Sequence, residues 1–342
     1  MRCLLRFLAG AELFLTLPIE RTVEGKYRLE RLLGKGGMGA VYAATDVRLN
    51  RRVAMKVMVG RFFGNQNALR RFEREAQASA RLSHPNITSI YDYGRIGDNG
   101  AFLVMELLAG RTLRQELKSR RLDGTTAANW FEQLFEGVEA AHRAGVVHRD
   151  LKPENVMVTA SSTGADQIKI LDFGLAKVAA EDVAETSATS LTVAGAVFGT
   201  FGYMSPEQFT GAEVDVRADI FALGVMVAEV LTGEPPFKGT TYNELAHAVF
   251  HDTYHLPGDS NEVRALDDAL QRCLARERSQ RYATVAEMRD AVIPAMQHFS
   301  AQGSPTAANE LSTITITGKP ERKAVAFSPQ TPEPDGQGGH LE

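Results

Sequence analysis

From residue 27 to about residue 107, apolar and polar positions alternate in short runs, the signature of half-buried strands. Tyr27-Arg-Leu-Glu-Arg-Leu-Leu33 opens the stretch, a glycine-rich turn follows, and Ala40-Val-Tyr-Ala-Ala44 and residues 52–59 continue it. Residues 67–82 break the pattern: Leu69, Phe72, Ala76 and Ala80 recur at three- and four-residue spacing and predict a helix. Two more strands are expected at 87–93 and 101–107. After Gly110 the spacing becomes helical, over 112–119, 126–144, 217–232, 241–251, 261–275 and 284–297. The last of these opens with Thr284-Val-Ala-Glu287, a capping-box pattern. The pattern predicts an α+β, bilobal chain. A small antiparallel sheet with one helix (27–108) precedes a mostly helical lobe (109–295), with a cleft at the 105–111 connection.

Both ends depart from this pattern. Residues 2–17 are rich in Leu and Phe but interrupted by Arg6 and Glu12, whereas a membrane span needs about 20 apolar residues. No Ala-x-Ala cleavage pattern follows, and Cys3 precedes the apolar run, which weighs against a secretory signal. Residues 1–26 are expected to form a packed or frayed extension, with membrane contact through 2–17 as the open alternative. Residues 296–342 carry Pro305, Pro320, Pro329, Pro332 and Pro334 among Gly, Ser and Thr, a composition expected of a disordered tail. Neither a second domain nor a transmembrane helix is expected there. Across all 342 residues the net charge is −4, which gives no support to nucleic-acid binding. Two cysteines, Cys3 and Cys273, cannot build a disulfide framework and point to a reducing, cytoplasmic setting.

The chemistry is concentrated in two motifs. Residues 148–155 read His-Arg-Asp-Leu-Lys-Pro-Glu-Asn, and Asp-Phe-Gly follows at 172–174. Phosphoryl transfer from ATP needs a carboxylate beside the attacking hydroxyl, a cation on the transferred phosphate and oxygen ligands for a metal. Asp150, Lys152, Asn155 and Asp172 have the chemistry for all three. With these motifs in this order, the chain resembles the bacterial branch of the eukaryotic-type (Hanks-type) serine/threonine protein kinases over about residues 27–293.

That resemblance implies a set of roles. Asp150 would orient the substrate hydroxyl, Lys152 would neutralise charge on the transferred phosphate, and Asn155 and Asp172 would bind Mg²⁺, with Mn²⁺ as an alternative. Leu33 and the run Gly34-Lys-Gly36-Gly-Met-Gly39-Ala-Val41 match the glycine-rich loop over the ATP phosphates. A Rossmann turn would run from strand into helix, whereas Ala40–Ala44 reads as strand. Val53-Ala-Met-Lys56 matches the strand lysine, whose partner would be a carboxylate on the 67–82 helix. Helical geometry leaves Glu73 and Glu75 equivalent; similarity of Arg-Arg-Phe-Glu-Arg-Glu-Ala to the family favours Glu75. Leu103-Val-Met-Glu-Leu-Leu108 matches the adenine-binding strand and hinge, making Met105 the gatekeeper and Glu106 and Leu108 backbone partners. Val41, Ala54 and Met157 would sandwich the purine.

Gly199-Thr-Phe-Gly-Tyr-Met-Ser-Pro-Glu207 resembles the loop that positions peptide substrates, with Thr200 near Asp150 and Lys152. Glu207 is expected to pair with Arg281, and Asp219 to brace the catalytic-loop backbone. Arg149 and Lys177 match positions that contact a phosphorylated activation segment; Thr192, then Thr189, are the first candidates for that phosphate. Protein substrates are implied, including the chain itself through autophosphorylation or a transient homodimer. His247, His251 and His255 recur every four residues, a spacing that suits zinc only if one helix continues through all three. Two other functions compete with an active kinase. A nucleotide-binding scaffold is disfavoured by intact Lys56, Asp150, Asn155 and Asp172, and a small-molecule phosphotransferase by the 199–207 loop.

Overall fold

The structure, a computed structural model, describes residues 17–36, 39–59, 66–97, 100–161, 163–173 and 198–299. Its first lobe contains β1 (Thr22–Val23), β2 (Tyr27–Gly36), β3 (Gly39–Asp46), β4 (Arg51–Val59), α1 (Gln66–Ala80), β5 (Ile90–Arg95) and β6 (Gly100–Glu106). These strands form an antiparallel sheet in the order β1-β2-β3-β4-β6-β5. Strand alternation decides what each face carries. Val53, Met55 and Val57 pack with Tyr27, Leu29, Tyr42 and Phe102 on one side. Ala54 and Met58, joined by Leu103 and Met105, pack against Leu69, Phe72 and Ala76 of α1 on the other. Lys56 shares the parity of Ala54 and Met58 and therefore emerges on the α1 side.

Two differences from the expected strands have clear causes. The sheet starts ahead of residue 27, because β1 pairs with β2 and Leu17 is buried in the same cluster, its N–H donating to the Tyr42 hydroxyl (2.9 Å). The expected strand 87–93 begins only at Ile90, because residues 86–88 give their hydrogen bonds to the second lobe. Thr88 N–H donates to Ile170 O (2.9 Å), Ile170 N–H to Asn86 O (2.8 Å), and Asn86 Nδ2 to Ile168 O (2.9 Å).

The second lobe holds β7 (Gly110–Thr112), α2 (Leu113–Ser119), α3 (Gly124–Arg143), β8 (Val156–Ala160) and β9 (Asp166–Ile170). It continues through α4 (Pro206–Thr210), α5 (Val216–Thr232), α6 (Tyr242–His251), α7 (Asn261–Cys273) and α8 (Val285–His298). The last three strands form a small sheet, β7-β8-β9, whose β8–β9 hairpin lies between the 148–155 and 172–174 motifs in the chain. In α5 every residue from Ala218 to Leu231 is buried, so the helix is the axis of this lobe rather than an amphipathic wall. Among the described residues no helix is long and apolar enough to cross a membrane. The expected capping box at α8 is half formed: Thr284 Oγ1 accepts from Glu287 N–H (3.2 Å), but the Glu287 carboxylate accepts from Ala283 N–H (3.1 Å). Complete boxes cap α2 (Thr112, Gln115) and α4 (Ser205, Gln208).

Glu207 at the start of α4 meets Arg281 through two parallel bonds of 2.7 and 2.8 Å. Arg281 is fully buried and also donates to the carbonyls of Ala275, Arg217 and Arg276, so its donors are well satisfied. Burial alone would raise the Glu207 carboxyl, but the Arg281 hydrogen bonds and charge outweigh it and hold the group below its ordinary value. Its contribution to stability is therefore present above the unfolded carboxyl pKa and lost as pH falls through the depressed native one. Truncating Arg281 to alanine leaves a buried carboxylate unpaired, which costs about 3–5 kcal/mol. We expect Arg281→Ala to lose thermal stability and activity together in melting and turnover assays; a stable but inactive variant would contradict this structural role.

Candidate active site

Three strands bring the first set of residues together. In β4, Lys56 stands opposite Val41 of β3 and Leu103 of β6, and Ala54 opposite Ala43 and Met105. Val41, Ala54 and Met105 belong to one apolar cluster. Gly34 and Gly36 lie on β2 and Gly39 opens β3, with residues 37–38 outside the described residues. Gly39 has φ +145, and a Cβ there would sit 2.0 Å from Val57 O, so no larger residue fits without moving β4. Leu33 is exposed on β2, Leu108 follows β6, and Met157 lies on β8 opposite Thr112. The hinge residue Glu106 is tied to the second lobe by Lys169 Nζ (3.0 Å), and its N–H donates to Ser89 O (2.9 Å).

The catalytic loop is built on a buried carboxylate. Asp219, in the first turn of α5, accepts from the N–H groups of His148 (2.8 Å) and Arg149 (2.8 Å) and meets His142 Nε2 (2.7 Å). Burial would raise the Asp219 carboxyl, but His142 and the backbone donor of His148 outweigh it and keep the group below its ordinary value. Arg149 is thereby held at φ +66, a left-handed conformation that only specific contacts sustain in a non-glycine residue. Gln208 Nε2 donates to Arg149 O (2.8 Å), and Arg149 Nε is buried without a partner among the described residues. The His148 ring accepts from Asp150 N–H at Nδ1 (3.2 Å), which leaves Nε2 to donate to Leu171 O (2.8 Å). The same ring meets Phe173 edge-on, centroids 4.8 Å apart.

Asp150 is the focus of the loop. Lys152 Nζ donates to both of its carboxylate oxygens (2.9 and 2.8 Å), and Asn155 Nδ2 to its backbone oxygen (2.7 Å) and Oδ2 (3.0 Å). Turning the Asn155 amide nitrogen toward Asp150 leaves its Oδ1 as the other end of the amide. Asp172 is also left-handed, φ +58. Its Oδ2 accepts from Lys56 Nζ (2.7 Å), while Oδ1 is buried and has no hydrogen-bond partner among the described residues. An orphaned, buried carboxylate oxygen is the kind of hard donor that a divalent cation takes.

One expected contact is absent. Lys56 does not pair with Glu75 in this structure, because the left-handed Asp172 presents its carboxylate to the ammonium, and Glu75 lies 3.5 Å from Arg74. Glu73 is engaged elsewhere, accepting from Arg95 Nε (2.8 Å) and Nη2 (3.2 Å). Lys177, Thr189 and Thr192 lie outside the described residues, and Thr200 is described only by its backbone, in the 3₁₀ turn Phe198–Tyr203. The histidine triplet is not a metal site. His247 and His251 stack on α6, but the helix ends at His251, and His255 instead pairs with Asp267 (2.7 Å). No metal-binding group of three or more His, Cys, Asp or Glu occurs among the described residues.

Sequence reasoning missed several residues around this site. His142, in the last turn of α3, belongs to no motif, and its contact with Asp219 spans 77 residues. Ser79 is buried in the last turn of α1, and its Oγ donates to Phe173 O (2.9 Å), a contact between residues 94 positions apart that no local pattern announces. Gln208 could have been found from the capping spacing Ser205-Pro-Glu-Gln208.

A model of the protein kinase domain matches residues 27–293. The chain is 38% identical over 283 residues to serine/threonine-protein kinase PknD of Mycobacterium tuberculosis, covering 80% of this chain and 41% of that protein. It is 34% identical over 320 residues to serine/threonine-protein kinase pkn3 of Myxococcus xanthus, covering 92% and 57%. The chain thus spans about half the length of the curated relatives it matches. Among solved structures, a double mutant of the PknI kinase domain of Mycobacterium tuberculosis shares the fold, with TM-score 0.62 and 24% identity, covering 82% of this chain and 100% of that one. The lysine-bearing strand, the braced catalytic loop and the Asp-Phe-Gly carboxylate lie within the matched span, and the chain belongs to the protein kinase domain family, in its bacterial serine/threonine branch.

Proposed function

We propose that this chain is a serine/threonine protein kinase that transfers the γ-phosphoryl group of Mg²⁺-bound ATP to protein hydroxyls. The observation that carries the reading is Asp150, whose carboxylate is held by Lys152 and Asn155 on a loop braced by Asp219. Asp150 accepts a hydrogen bond from the acceptor hydroxyl and orients it for in-line attack; Lys152 meets the charge on the transferred group. Asn155 Oδ1 and the orphaned Asp172 Oδ1 would hold the metal, which would neutralise phosphate charge. Lys56 holds the α- and β-phosphates, while Leu33, Gly34, Gly36, Gly39, Val41, Ala54, Met105, Glu106, Leu108 and Met157 enclose the nucleotide. In this reading Asp172 would help to hold the metal and Lys56 would pair with Glu75. Because Arg95 already holds Glu73, Glu75 is the carboxylate left for that role.

Regulation follows from Arg149. Arg149 directly precedes Asp150 in the chain, and its buried Nε has no partner among the described residues; a phosphorylated activation segment would supply an anion. A phosphate carries roughly −1.5 to −2 charges at neutral pH and can pair with both Arg149 and Lys177.

Asp150→Asn should remove nearly all transfer from labelled ATP to a protein acceptor while ATP binding persists, and Asp172→Asn should weaken productive Mg²⁺–ATP binding. Lys56→Met should abolish transfer, and Glu75→Ala should lower it more than Glu73→Ala. Near-normal activity in Asp150→Asn would sink the reading; a silent Glu75→Ala beside a damaging Glu73→Ala would reassign the lysine partner.

Mass spectrometry of the active protein should find phosphate between residues 186 and 192, at Thr192 before Thr189. Phosphatase treatment should lower turnover, and Arg149→Ala should make turnover insensitive to phosphorylation. Equal turnover of the phosphorylated and dephosphorylated wild-type protein would exclude this switch.

A further inference from the structure

Gln208 of α4 uses both ends of its side-chain amide. Its Oε1 accepts from the Ser205 N–H (3.0 Å) and the Ser205 hydroxyl (3.1 Å), while its Nε2 donates to Arg149 O (2.8 Å). The neighbours settle this orientation. A reversed amide would set its oxygen against the Arg149 carbonyl and its NH₂ against the Ser205 N–H, losing both bonds. The backbone that carries the side chain is anchored, since Ser205 is fully buried and the adjacent Glu207 is held by Arg281. A helix cap needs only the oxygen end of the amide. The nitrogen end reaches a residue 59 positions back in the chain.

That bond meets the catalytic loop where its backbone is most constrained. Arg149 is left-handed (φ +66), a conformation that persists in a non-glycine residue only when its surroundings over-determine it. Asp219 accepts from the Arg149 N–H (2.8 Å) and so fixes the peptide plane that enters this residue. The plane that leaves it, between Arg149 and Asp150, does not touch Asp219. Its carbonyl takes the Gln208 donor, and its N–H, that of Asp150, donates to His148 Nδ1 (3.2 Å). A peptide unit is planar, so one partner on its oxygen and another on its N–H together set its tilt. Without the Gln208 donor, only the longer bond to His148 holds that tilt.

We propose that Gln208 is a positioning residue for Asp150. Its donor holds the 149–150 peptide at the tilt that presents the Asp150 carboxylate to Lys152 and Asn155. Its loss lowers turnover, while the handling of ATP stays intact, because neither Ser205 nor Arg149 is among the residues proposed to hold nucleotide or metal. This deepens the kinase reading and rests on Asp150 as the group that orients the acceptor hydroxyl.

Two variants separate this role from helix capping. Gln208→Glu keeps an oxygen for Ser205 but loses the N–H donor at neutral pH, whereas Gln208→Met, of similar length, loses both. On the full chain, kcat and the KM for ATP are measured with a generic protein acceptor, together with the melting temperature. In both variants kcat should fall about tenfold or more, with the KM for ATP within about twofold of wild type. The melting temperature should drop in Gln208→Met and stay near wild type in Gln208→Glu, so that turnover follows the donor and stability follows the acceptor. Gln208→Glu carries the test if the methionine variant fails to fold. Wild-type kcat in Gln208→Glu, whether or not Gln208→Met is impaired, would reduce Gln208 to a helix cap and overturn the proposal. A KM for ATP that rises in step with the fall in kcat would overturn it as well. Wild-type protein that labels no protein acceptor, or near-normal activity in Asp150→Asn, would overturn the parent reading instead, and this one with it.

Discussion

Asp219 sits in the first turn of a helix buried on every side, and its carboxylate is surrounded by donors: two backbone N–H groups and the His142 ring. An unpaired carboxylate there would be prohibitively costly, so the donors are held to it. They are the backbone of His148 and Arg149, and fixing them forces Arg149 into a left-handed conformation that would otherwise cost about 1–3 kcal/mol. The turn this produces brings the His148 ring to Leu171 O and Phe173, and Asp150 is held by Lys152 and Asn155. The catalytic geometry thus depends on a residue that makes no contact with the Asp150 carboxylate.

The two lobes meet the same centre from opposite sides. Strand alternation puts Lys56 on the α1 face, and β9 carries Asp172 to it. Segment 86–88 and the Lys169–Glu106 pair link β9 to the first lobe and to the hinge. Ser79 adds a direct bond from α1 to Phe173 O. A shift of α1 is therefore felt at Phe173, next to Asp172, through that bond. In this arrangement the Lys56 ammonium is taken by Asp172, while Glu75 lies beside Arg74.

Much of this was legible in the sequence. The sheet, α1 and the long helices follow from apolar spacing, and Asp150, Lys152, Asn155 and Asp172 from the chemistry their motifs carry. Glu207–Arg281, separated by 74 residues, was readable only through family resemblance, and the structure makes the pair bidentate and buried. What stayed hidden depends on tertiary approach. No local pattern places Ser79 under Phe173 or His142 against Asp219. The short strands β7, β8 and β9 exist because they pair with one another, and their three-to-five-residue runs carry too little periodicity to be read alone. The late start of β5 has the same origin, since the backbone before Ile90 bonds to the other lobe.

The most direct measurement is phosphoamino-acid analysis of a protein acceptor incubated with the purified chain, Mg²⁺ and γ-labelled ATP. The arrangement of Asp150, Lys152 and Asn155 on the braced loop predicts label in phosphoserine and phosphothreonine of the acceptor. Label confined to inorganic phosphate, to a small molecule or to phosphotyrosine would contradict the account.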